Sequence, residues 1–124
     1  MDRVWLALGA AYGFAAVALG AFGAHALKGR LNPEFAAAYQ TAVQYQLCHA
    51  LALLAVGILA GRSASPALTF SGAAFALGVL LFSGSLYALS LTGVRALGAI
   101  TPIGGALFLL GWAALIYSVL KTAR

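Results

Sequence analysis

The residues able to do chemistry gather in the stretch YQTAVQYQLCHALAL, Tyr39 to Leu53, where Gln40, Thr41, Gln44, Tyr45, Gln46, Cys48 and His49 open a long apolar run. Thr41, Tyr45 and His49 are four residues apart in turn, and Gln46 and His49 three, so on a helix they are neighbours. Further along, Ser83, Ser85 and Tyr87 and then Thr101, next to Pro102, add hydroxyls inside apolar runs. Two chemistries suit such a set. Interhelical hydrogen bonds can fix the register of a bundle, or a polar path can carry a proton, ion or small solute past His49, a side chain that titrates near neutral pH. Catalysis is a weaker fit: no carboxylate lies well inside an apolar run, and no CxxC or HExxH is present. Cys48 is the lone cysteine, and two histidines at different depths do not make a haem ligand pair. Neither a metal nor another cofactor is expected.

The elements that position these residues follow from composition. The 124-residue chain is 64% hydrophobic and 7% charged, too apolar for a water-soluble fold of this size. Four apolar runs, Val4 to Leu27, Phe35 to Ala60, Pro66 to Leu91 and Leu97 to Leu120, are each near or above the ~20 residues that cross a membrane as a helix. Asn32-Pro33-Glu34 and Ser65-Pro66 supply helix starts, and Gly61-Arg62 and Thr92-Gly93-Val94-Arg95 supply stops. Joints this short make consecutive helices antiparallel. The expected fold is an all-α membrane protein, an antiparallel bundle of four transmembrane helices forming one domain over residues 1–124. Ala24-His25-Ala26 resembles a signal-peptidase site, but the preceding run is longer than a signal peptide's apolar region, so the first run is expected to be retained.

Within this frame, residue spacing assigns faces. On helix 2, Gln44, Thr41, Tyr45, His49 and Gln46 fall in an arc expected to face protein, with Val43, Leu47, Leu54 and Ile58 facing lipid. Gly9, Gly13, Ala16, Gly20 and Gly23 make a small-residue stripe on helix 1, matched on helix 4 by Gly98 and Gly105, and by Gly104 and Gly111. Both sets are expected to be packing seams, within the chain or between copies. Pro102 inside helix 4 would leave the carbonyl four residues back unpaired, with Thr101 beside it to help. The candidate interior polar site is therefore Thr41, Tyr45, Gln46, His49, Ser83, Ser85 and Thr101. His25, Lys28 and Arg30 are expected to be interface anchors at the end of helix 1.

The net charge of +5 comes from basic residues standing singly or in pairs at segment ends, which excludes a nucleic-acid stripe and leaves membrane lipids as the immediate partner. Arg3, Arg62, Lys121 and Arg124 share one side and Lys28, Arg30 and Arg95 the other, which places both termini in the cytoplasm by the positive-inside rule.

Several of these segments also carry a resemblance. Gly20-Ala21-Phe22-Gly23-Ala24-His25-Ala26-Leu27, Thr41-Ala42 with Tyr45-Gln46 and His49-Ala50-Leu51-Ala52-Leu53, Leu81-Phe82-Ser83-Gly84-Ser85-Leu86-Tyr87, Leu91-Thr92-Gly93 and Ile100-Thr101-Pro102-Ile103-Gly104-Gly105 occur in an order similar to the YgdD/YwdK-like family. That family comprises small bacterial inner-membrane proteins of a domain of unknown function, with small eukaryotic transmembrane relatives. The resemblance implies a four-span bundle in the bacterial inner membrane and supplies no catalytic residues. The function expected is that of a non-enzymatic binding or structural bundle, as a homo-oligomer or with another membrane protein; the alternative is a small oligomeric transporter or channel with a polar path past His49, and an intramembrane enzyme or redox module is the weakest of the three.

Overall fold

The computed structural model describes residues 2–122, so Arg124, counted in the orientation reading, lies outside the described residues. Four helices occupy most of the chain: α1 at Asp2–His25, α2 at Pro33–Arg62, α3 at Pro66–Thr92 and α4 at Thr101–Thr122, with a short 3₁₀ helix at Arg95–Ala99 leading into α4. All four spans are long and apolar enough to cross a membrane. The starts form as their residue types dictate. The Asn32 side chain accepts the Phe35 N–H at 2.8 Å, and the Ser65 hydroxyl accepts the Leu68 N–H at 3.2 Å, each ahead of a proline whose missing N–H costs a first turn nothing. Gly93 ends α3 in the left-handed region at φ 76° while its N–H bonds Leu89.

The beginning of the fourth span differs from expectation. Residues 95–99 wind as a 3₁₀ helix, and Pro102 is the second residue of α4 rather than an interior break. Proline's fixed φ suits a first turn, and a carbonyl in the preceding 3₁₀ segment is not waiting for an α-helical partner, so Thr101 is released for another contact.

Register pairs show three antiparallel contacts. Gly23 meets Tyr39, Gly9 meets Ala50 and Gly57 meets Leu6 between α1 and α2; Ser83 meets Ala42 between α3 and α2; Gly78 meets Phe108 and Ser71 meets Gly111 between α3 and α4. The middle helices are the buried ones: 44% of the apolar window is buried in α2 and α3, against 17% in α1 and 22% in the last span. Thus α2 and α3 form a central pair. α1 rests on α2 and reaches α3 through Trp5, which lies over Gly72, and through the Tyr12 hydroxyl, which donates to Ala76 O at 2.9 Å. α4 rests on α3 and reaches α2 through Phe108 and Trp112. Leu53, Val56, Phe75 and Val79 fill the centre.

This arrangement corrects the face assignment on α2. Val43 and Leu54 lie against α1, at Gly20 and Gly9, and only Leu47 and Ile58 of the expected lipid arc are exposed. A central helix needs two covered faces, and the small residues of α1 let that helix cover the second. The stripe of Gly9, Gly13, Gly20 and Gly23 is thereby used within the chain, as are Gly98 against Leu89 and Gly105 against Phe82. His25, Lys28 and Arg30 are exposed at the α1 end and the joint that follows.

Candidate functional site

Gln46 is buried on α2, between two neighbouring helices. Its amide nitrogen donates to Tyr12 O of α1 at 2.9 Å, and its carbonyl oxygen accepts the Tyr87 hydroxyl of α3 at 2.6 Å. Both ends of one carboxamide are therefore occupied, each by a different helix. One turn or two towards the first joint, Tyr39 packs edge-on to Tyr87 with centroids 5.3 Å apart, and its hydroxyl donates to Leu19 O at 2.5 Å. Tyr12, Tyr39, Gln46 and Tyr87 form a polar layer that ties α1, α2 and α3.

His49 stands nearly a turn deeper and belongs to another set of neighbours. Its Nδ1 is 2.7 Å from Tyr45 O, and its Nε2 is 3.0 Å from the indole Nε1 of Trp112. A carbonyl can only accept and an indole N–H can only donate, so Nδ1 carries the proton and Nε2 accepts. The ring is neutral, in one tautomer, with both nitrogens used. Phe108 stacks on it at 3.6 Å between centroids and 9° between planes, and Phe75 is tilted against it at 5.4 Å. α2 is thereby tied to α4 across the face of α3.

Of the other expected members, Tyr45 alone touches His49, through its carbonyl and a ring stack at 6.2 Å between centroids. Ser83 is fully buried and donates to Ala42 O at 2.8 Å, while Ser85 pairs with Thr101 at 2.5 Å and also donates to Phe82 O. Thr41 bonds back to Ala37 O on its own helix, a local bond that needs no partner element. Tyr45 is 43% exposed, stacked on Phe82 at 4.6 Å, and Gln44 is exposed. The single interior site expected from sequence is thus replaced by four separate ties: Gln46 with Tyr12 and Tyr87, His49 with Trp112, Ser83 with Ala42, and Ser85 with Thr101. The physical reason is level. The short joint between Arg62 and Pro66 sets the level of α3 against α2, with α3 offset by about one turn from equal counting, so Ser83 faces Ala42 and His49 faces Phe75. Seven residues separate Ala42 from His49, roughly 10 Å along a helix, beyond reach of a serine hydroxyl. Trp112 and Tyr12 were missed by the sequence reading. Their signal was an aromatic ring with a polar tip in mid-span, a side chain that finds a hydrogen-bond partner when its tip turns inward. Among the described residues, no three His, Cys, Asp or Glu side chains gather closely enough to hold a metal ion.

Long apolar helices, short capped joints and polar residues bonded between helices define a multi-pass α-helical membrane protein. The family described as "Protein of unknown function (DUF423)" matches residues 19–105, and the chain belongs to that family. It is similar to a UPF0382 membrane protein of Staphylococcus epidermidis, 46% identical over 98% of each chain, and to one of Staphylococcus haemolyticus, 45% identical over 96% of this chain and 97% of that one. The UPF0382 membrane protein YwdK of Bacillus subtilis is 42% identical over 96% of this chain and 98% of its own. No solved structure matches. The resemblance read from the motif segments is the relationship these comparisons find, and it comes with no assigned activity.

Proposed function

We propose that the protein is a non-enzymatic bundle of the bacterial inner membrane, a structural subunit or binding module whose interior polar residues hold helices together rather than pass a proton or solute. The observation that carries this reading is the pairing of His49. A proton relay needs a ring nitrogen that can take up a proton, yet protonating Nε2 would set its N–H against the Trp112 N–H and break the tie to α4. Stability and flux measured together test it. Glutamine at 49 can present a carbonyl to Trp112 and leucine cannot, so His49→Gln is expected to retain most of the melting temperature in detergent, whereas His49→Leu loses about 1–3 kcal/mol by stranding the indole N–H. Vesicles reconstituted with wild type or either variant are expected to show no proton flux above empty vesicles. Flux in wild type that disappears in both variants would defeat the reading.

Both termini face the cytoplasm in this proposal. Among the described residues Arg3, Arg62 and Lys121 stand on the terminal side and Lys28, Arg30 and Arg95 on the other, so Arg124 tips the balance. A C-terminal reporter active only outside the cytoplasm is expected to stay silent; an active one reverses the orientation. Membrane lipids are the immediate partners, meeting the exposed Phe14 of α1 and Leu109 and Leu120 of α4, and a second copy or another membrane protein has those same outer faces to use. The scattered basic residues give nucleic acid no surface to follow.

A further inference from the structure

We propose that the cavity between the α2–α3 joint and the last turn of α4 is a seat for a phosphate group, that of an anionic phospholipid. It is a half-open cavity of about 470 Å³, within the range of small-molecule sites, and is lined by Ser63, Ser65, Pro66, Tyr117, Ser118 and Lys121, with Ala67 beside them. The polar side chains have the chemistry of an oxyanion site. Lys121 brings an ammonium, 5.6 Å from the centroid of the Tyr117 ring, at the end of the bundle opposite the Arg95 to Glu34 salt bridge. Ser63 and Ser65 add hydroxyls. Ser65 spends its oxygen on the Leu68 N–H, which takes that N–H away from any ligand but leaves the serine O–H free to donate. Recognition therefore rests on the lysine and the hydroxyls, not on the start of α3.

Position selects the lipid over a soluble ion. The lining residues come from the end of two spans and the start of a third, which is headgroup depth. Tyr117 is 56% exposed, with Ile116 and Leu120 exposed beside it on α4, so acyl chains can lie along the helix while their headgroup enters the cavity. The cavity at the opposite end is smaller, about 220 Å³, and sets Lys28 among largely apolar neighbours such as Leu27, Leu31 and Ala36. This inference goes beyond the proposed function and stands whether or not the bundle conducts.

The test uses the full-length protein, purified in detergent and stripped of lipid, with retention of added lipid read by native mass spectrometry. Phosphatidylglycerol is expected to be retained in preference to phosphatidylcholine. Lys121→Gln weakens that retention about fivefold, the effect of one basic side chain near an anionic headgroup, while Lys121→Arg keeps it and Lys28→Gln leaves it unchanged. Ala67→Phe fills the cavity and removes retention without removing a charge. Melting curves in lipid-free detergent identify variants that have lost the fold, so the charge and the filling variants check each other. Equal retention by wild type, K121Q and A67F would overturn the site. Binding of inorganic phosphate that depends on Lys121, with no retention of phosphatidylglycerol, would overturn the lipid assignment and give the cavity to free phosphate.

Discussion

Gly104→Ala is expected to be among the most damaging single-methyl additions in the chain. A Cβ there would meet the Phe82 backbone nitrogen in α3, with Phe82 Cα 2.8 Å and Cβ 2.7 Å away. Backbone atoms cannot turn aside as a side chain can, so α4 must move off α3, loosening Phe108 over Gly78 and the Ser85 to Thr101 pair at the same time. Gly9→Ala repeats the situation between α1 and α2, where the added carbon would lie 2.8 Å from Ala50 O and 3.0 Å from Leu54 N. Overpacking costs ~1–3 kcal/mol and sometimes more, and helix association in lipid relies on this close van der Waals fit. Gly84 is the matched control: a Cβ there meets nothing within 4 Å, and alanine in place of a mid-helix glycine is favourable by about 1 kcal/mol. Melting temperatures in detergent should therefore fall for Gly104→Ala and Gly9→Ala and hold or rise for Gly84→Ala. Equal stability of all three would show that the helices do not approach as described. Gly13, whose Cβ would sit at an ordinary 3.9 Å from Ala50, should tolerate alanine despite lying on the same stripe.

That ranking was not legible in the sequence, although the stripe was. Apolar run length located four spans, cap and turn residues gave the Asn32 and Ser65 starts and the Gly93 stop, and periodicity tells which residues share a face of one helix. It does not say which helix lies opposite. Gly9 and Gly13 read alike on α1 until Ala50 and Leu54 are placed across from Gly9. The polar residues show the same boundary. Gln46 and His49 are three apart and share one face of α2, yet the roughly 60° between them is enough on a central helix to aim one towards α1 and α3 and the other towards α4. One part of the answer was available. The short joint between Arg62 and Pro66 fixes level, and counting thirteen residues back to His49 and thirteen forward to Val79 brings His49 nearer Phe75 than Ser85. What counting cannot supply is rotation, because it depends on how side chains such as Phe108 and Tyr12 interlock once the backbones are close.

Rotation is what Gln46 fixes, and its removal has the second large expected effect. Gln46→Leu keeps an apolar body of similar size while deleting both polar ends of the carboxamide. The Tyr12 carbonyl loses little, since a helix carbonyl retains its own N–H partner four residues on. The half-buried Tyr87 hydroxyl loses its acceptor between two helices, and a donor left unmade where water does not reach it costs about 1–3 kcal/mol, against the ~0.6–2 kcal/mol that an intact interhelical bond contributes in lipid. A double-mutant cycle separates that penalty from general disruption. Tyr87→Phe alone is expected to cost less than Gln46→Leu, because the amide left behind keeps its bond to Tyr12. Combining the two should recover part of the loss seen in Gln46→Leu, since the stranded hydroxyl is gone and two apolar groups face each other. The coupling is expected at about 1 kcal/mol or more, read from melting temperatures or denaturant midpoints in one detergent. Strict additivity of the two substitutions would mean that Gln46 and Tyr87 do not share a bond, and that the tie between α2 and α3 rests on Ser83 and Ala42 alone.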